Sequence, residues 1–185
     1  MVEPSIHTIH LPSSAAEALA TLFQQGIRVE IETGCTIKSL LTHQWGLPQD
    51  YIMGRISTLF LNGKPVDDME TAIVRDGAVL ALSSAMPGLV GAVMRRGGFY
   101  ASLRGGITYH ETLQDASIRK GTITVKLFNM LIRELGPHFL AQGFRVRRKA
   151  LPEGIRPQAE GVGAADDDVF IVSPPAPSGA APDHP

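Results

Sequence analysis

The chain has a single cysteine among its 185 residues. Cys35 has no partner within the chain, which excludes a disulfide scaffold and every zinc site built on two or more cysteines. Long apolar runs are missing as well, since none approaches the roughly 18 residues that a membrane span needs. Glu3 sits near the start and no basic leader precedes an apolar stretch, so no signal peptide is expected and the default location is cytoplasmic. The sequence has no HExxH spacing, Gly-rich phosphate loop, nucleophile elbow or Ser/His/Asp arrangement, so catalysis and a cofactor are not expected. His7 and His10 are three apart, which on a strand sends them to opposite faces, and no metal site is expected there. Asp166, Asp167 and Asp168 lack the alternating ligands of a calcium loop and read as a solvated run. Cys35 stands in the turn before a helix and reads as an exposed, unused thiol.

Net charge is also scarce, at -1, but its distribution is uneven. Residues 1 to 94 carry a net -4, residues 95 to 150 a net +8, and residues 151 to 185 a net -5. Such segregation suggests either a basic surface for an anionic partner or a basic middle neutralised by the chain's own acidic ends.

Periodicity outlines the elements. Residues 6 to 11 read as a short strand. Ser14 with Glu17 gives a capping box ahead of the stripe Ala15, Ala18, Leu19, Leu22 and Phe23, which predicts a helix over 14 to 25. Ile27, Val29 and Ile31 alternate with charged residues as a half-buried strand. Thr36 can cap a second helix with Ile37, Leu40, Leu41 and Trp45 on one face, stopped by Gly46 and Pro48. Asn62-Gly63 marks a hairpin after a strand at 58 to 62, and Asp76-Gly77 a turn before an apolar central strand at 78 to 82. Met86, Leu89, Val90, Val93 and Met94 recur at helical spacing, with Gly97 as the expected cap. Strands are expected at 107 to 110, 122 to 127 and from Phe144 to Lys149, with a helix between the last two interrupted at Pro137. A last strand is expected at 169 to 172. Gln25-Gly26-Ile27-Arg28-Val29 is echoed by Gln142-Gly143-Phe144-Arg145-Val146, which reads as two ordinary helix-glycine-strand junctions.

Three motifs stand in register over about 50 residues: Thr33-Gly34-Cys35-Thr36-Ile37-Lys38-Ser39-Leu40-Leu41, then Leu61-Asn62-Gly63-Lys64-Pro65-Val66-Asp67, then Arg75-Asp76-Gly77-Ala78-Val79-Leu80. Through them, residues 27 to 84 resemble the β-grasp sulfur carriers: the molybdopterin-synthase small subunit and the thiamine-pathway carrier, relatives of ubiquitin. The resemblance implies a mixed sheet packed on a helix and a partner enzyme that adenylates a terminal Gly-Gly tail. This chain ends Asp183-His184-Pro185 instead. Its internal pairs, Gly97-Gly98 and Gly105-Gly106, could serve as carrier tails only after cleavage, and otherwise read as a helix cap and a turn.

The basic middle supplies the other candidate surface. Arg95, Arg96 and Arg104 bracket Phe99 and Tyr100, and Arg145, Arg147, Arg148 and Lys149 form a second cluster. Cations beside rings suit single-stranded nucleic acid, but a pI near 6.6 argues against it, and docking on an acidic protein surface, or on the chain's own acidic tail, is preferred. The expected fold class is α+β: a β-grasp domain over 1 to 84, a basic extension of helix and strands over 85 to 150, and a mostly flexible Pro/Ala/Gly-rich tail over 151 to 185. The expected function is a non-catalytic carrier-like or protein-interaction module. The alternatives are a carrier released by cleavage and an anion or nucleic-acid binder.

Overall fold

A computed structural model describes residues 6–109, 117–156 and 168–174, and ten strands occur among them. Eight of them form one mixed sheet. In chain order these are β1 (His7–His10), β2 (Ile27–Thr33), β4 (Thr58–Leu61), β5 (Lys64–Pro65), β7 (Val79–Ser83), β8 (Arg119–Phe128), β9 (Phe144–Arg147) and β10 (Asp168–Val172). Their order across the sheet is β1-β10-β9-β2-β8-β7-β4-β5. The remaining two, β3 (Cys35–Thr36) and β6 (Ile73–Val74), pair separately. The chain is thus a mixed α/β protein with one large sheet and several helices.

β8 lies between β2 and β7, antiparallel to the first and parallel to the second. The acidic first half and the basic middle therefore share one hydrogen-bonded sheet. Asp168–Val172 adds a strand from the last segment, where one was expected at 169 to 172.

Helices cover one face. α1 (Ala20–Gln25) and α5 (Leu131–Gln142) send Leu22, Phe23, Leu135 and Phe139 into the same buried cluster as Ile123, Val125 and Leu127 of β8. α2 (Ile37–Ser39) runs into a wide turn, Leu40–Gln44, and α3 (Gln49–Arg55) follows. Thr36 caps α2 as expected, its Oγ1 accepting from Ser39 N–H at 3.1 Å. Asn62 and Gly63 take φ of 52° and 78°, the left-handed pair that a tight hairpin requires.

Several expectations are corrected. The helix over 14 to 25 is a 3-10 turn, Ser13–Ala16, followed by the shorter α1; Glu17 pairs with Arg133 at 2.7 Å rather than closing a capping box. α5 runs through Pro137 unbroken. The carbonyl that proline leaves without a donor belongs to Arg133, an exposed residue. Residues 107 to 109 form a turn and bend instead of a strand, and His110 lies outside the described residues, as do Asp166 and Asp167. β9 stops at Arg147, and Arg148–Ala150 forms a 3-10 turn. α4 (Gly88–Met94) ends at Arg95, with Gly97 in the following turn. The α4 stripe is not core, because Leu89 and Val90 remain 71% and 68% exposed. No described helix is long and apolar enough to cross a membrane.

Candidate functional site

Two surfaces stand out: the open face of the sheet and the α4 region. Alternation places Ile27, Val29, Ile123, Val125, Phe144 and Val146 inward and their neighbours outward. Register then aligns one outward row across six strands: Thr8, Phe170, Arg145, Arg28, Thr124 and Val79.

At the middle of this row the ladder lapses. β2 and β9 share one paired position, Arg28 opposite Arg145. Two residues further along β2 lies Glu30, and opposite it Gly143 gives its N–H to the Phe139 carbonyl at 2.9 Å, closing α5 instead of continuing the sheet. Beyond that point Gln44 acts as a substitute strand. Its Oε1 accepts from Glu32 N–H at 2.8 Å, and its Nε2 donates to the Glu32 carbonyl at 2.9 Å. The wide turn Leu40–Gln44, closed by Trp45 N–H on the Leu40 carbonyl at 3.0 Å, sets Gln44 and Trp45 against the gap.

A cavity of about 520 Å³ opens there, lined by Arg28, Glu30, Trp45, Gln142, Arg145 and Phe170 among others. Arg28 pairs with Asp168 and Arg145 with Glu30. Burial, and then the neighbouring Arg145 and Arg147 guanidiniums, push the Arg28 guanidinium below its ordinary pKa. Arg28 Nε and Trp45 Nε1 are both buried without a hydrogen-bond partner. Sequence reasoning missed this site, although the echo of Arg28 and Arg145 was its one visible trace.

The expected basic residues separate into different roles. Arg104 is 3% exposed: it pairs with Asp67 at 2.7 Å and donates to the Val93 carbonyl at 2.8 Å and the Thr108 hydroxyl at 3.0 Å. Arg96 is half-buried over Met69 and the Ile52 carbonyl, and that burial lowers its pKa. Arg95 is exposed. Arg145 and Arg147 belong to the open face, whereas Arg148 and Lys149 lie in the 3-10 turn, and neither is without a partner. The two basic clusters are therefore not brought together as one patch.

Phe99 and Tyr100 stack edge to face, with centroids 5.1 Å apart, on the 3-10 helix Phe99–Arg104 that packs against α4. Phe99 is 90% exposed and Leu103 71%. Gly97 has φ of 62° and donates its N–H to Asp67 Oδ1 at 3.1 Å; Gly98 precedes the 3-10 helix, and Gly105 and Gly106 form the turn after it.

Cys35 is buried rather than exposed. Its Sγ donates to the Glu32 carbonyl at 3.2 Å and accepts from Gln44 Nε2, and burial raises its pKa. No cluster of three or more metal-ligating side chains occurs among the described residues. No known protein family matches this chain, and no curated protein or solved structure does either.

Proposed function

We propose that the chain is a non-catalytic protein-interaction module, carrier-like and of β-grasp kind in its sheet, which meets its partner through α4 and the 3-10 helix Phe99–Arg104. The observation that carries this reading is the exposure of Leu89, Val90, Phe99 and Leu103 on one buttressed two-helix unit. Grouped exposed apolar side chains mark contact surfaces, whereas scattered ones do not. Arg104 supports the unit from within, its guanidinium shared between Asp67 and main-chain carbonyls of residues 93 and 95. A surface held in place before binding loses less entropy on binding. Arg95 stands exposed at the end of α4, so a partner with an acidic rim around an apolar centre fits best.

Support for the β-grasp part comes from the sheet: mixed, with the parallel pair β7–β8 inside it, antiparallel pairs on either side and helices across one face. The cleavage reading is less favoured. A cut after Gly98 or Gly106 would separate β8 from β2 and β7, the strands it joins in the middle of the sheet. Nucleic-acid binding is less favoured too, because Arg96 and Arg104 are engaged internally.

Co-purification of the full chain from its native host tests the proposal. A partner retained by the wild-type protein, kept up to about 0.5 M salt, where charge contacts are screened, and lost with Leu103→Asp is the expected result. Equal retention by Leu103→Asp, or loss of the partner on modest salt, overturns it.

A further inference from the structure

The cavity at the β2–β9 gap shares no lining residue with α4 or the 3-10 helix and does not rest on the use just proposed for them. Four features describe what it can hold. Its volume, about 520 Å³, is that of a small-molecule site. Two guanidiniums, Arg28 and Arg145, stand in its lining, and behind that lining Arg28 Nε and Trp45 Nε1 are buried and unpartnered, which is costly for a donor. Trp45 is 4% exposed, so bulk water does not relieve it. The Glu30 main chain, on the edge where the ladder has lapsed, turns both its N–H and its carbonyl toward the same gap.

The charge has the same sense. Arg28 and Arg145 both line the cavity, and Arg147 is close enough to act on Arg28. Their counter-charges are Asp168 and Glu30, and the Glu30 side chain is 66% exposed. An exposed ion pair of that type contributes little, so an incoming anion displaces Glu30 from Arg145 readily. The remaining walls are mixed, with Thr8, Gln44 and Gln142 beside the apolar Ile6, Ile31 and the Phe170 ring.

We propose that this cavity binds a small organic oxyanion, a carboxylate or phosphate monoester with an apolar or aromatic body. The oxyanion sits on Arg28 and Arg145, where guanidinium geometry suits two oxygens at once. The body lies against Phe170, which shares the outward row with both arginines.

Trp45 is the only tryptophan in the chain and lines the cavity, so its fluorescence reads occupancy directly. The probe is phenyl phosphate, titrated into the full-length protein, with inorganic phosphate and benzyl alcohol as the two halves of the ligand. A saturable change with phenyl phosphate is expected, with weaker binding of phosphate and none of benzyl alcohol. Arg145→Gln should weaken phenyl phosphate by about tenfold or more, whereas Glu30→Gln, which removes the competing carboxylate, should tighten it. These opposite signs separate binding from a general loss of structure. If Arg145→Gln fails to fold, the exposed position of Glu30 leaves the second variant decisive. No saturable response up to about 10 mM overturns the proposal, as such binding would be weaker than any specific site of this size. Equal affinity for inorganic phosphate or for benzyl alcohol, or no tightening in Glu30→Gln, overturns it as well.

Discussion

Arg28 and Arg145 stand directly opposite each other at the single paired position between β2 and β9. Like charges at facing positions of a sheet are unfavourable, and the arrangement holds because each arginine has its own carboxylate, Asp168 for Arg28 and Glu30 for Arg145. Removing Asp168 leaves Arg28 beside Arg145 and Arg147 without compensation. Asp168→Asn is expected to lower stability by about 1 kcal/mol, a value reduced for the partial exposure of the pair. Urea unfolding checks it: the loss should shrink in high salt and in the double variant with Arg147→Gln, and a loss that neither condition reduces would contradict the electrostatic account.

Gly143 precedes β9 with φ of 81°, and a Cβ there would meet the Phe170 ring at 2.1 Å. Gly46 has a similar φ of 64°, but nothing lies near its would-be Cβ. Gly46→Ala should therefore show only the backbone term, about 1 kcal/mol, while Gly143→Ala adds the displacement of Phe170 and costs about 3 kcal/mol. Thermal unfolding of the two variants side by side separates strain from crowding. Equal losses would mean that Phe170 moves aside freely.

Arg104 is expected to be structural. Arg104→Met should destabilise the protein by about 2–3 kcal/mol, toward the low end for a broken buried pair because Asp67 is partly exposed. The loss should be local first: amide exchange should rise across residues 88 to 109 before the rest of the sheet. A variant with unchanged exchange there would remove the buttress from the account.

His138 on α5 is half-buried with its Nε2 unpartnered, and burial pushes its pKa below the ordinary value. The unfolded chain therefore takes up this proton more readily than the folded one. The His138 contribution falls away as pH drops through the unfolded histidine value of about 6.5. Glu134, whose carboxylate is held low chiefly by Arg55, contributes stability above the unfolded carboxylate range that is lost at more acid pH. His138→Phe should flatten the decline in unfolding free energy between about pH 7.5 and 5 while leaving the deeper acid loss in place. An unchanged slope in that upper window would contradict it.

Local chemistry was legible in the residues. The alternation of Ile27, Val29 and Ile31, the Asn62-Gly63 turn and the Thr36 cap depend on near neighbours, and each forms as read. Partners distant in sequence were not legible. Nothing in the period of residues 122 to 127 says that this strand separates β2 from β7, because a two-residue period fixes which face is buried and not which edge is paired. The α4 stripe shows the same limit, since helical spacing creates an apolar face without supplying anything to cover Leu89 and Val90. Arg104 was read as a surface cation because charge invites that reading, yet its fork is satisfied by Asp67, 37 residues away. The cavity arises where Gly143 turns its N–H back to Phe139: the helix-glycine-strand junction was legible there, but not the gap it leaves opposite Glu30.

The central claim is that the exposed apolar surface of α4 and the 3-10 helix, and not the arginine row, meets the protein partner. Site-specific photo-crosslinking in the native host tests it most directly, with a photoreactive aromatic residue placed at Phe99 in one protein and at Arg147 in another. The account predicts a discrete covalent adduct from position 99, abolished by Leu103→Asp in the same chain, and none from position 147. An adduct from position 147 alone, or from neither position, would contradict it.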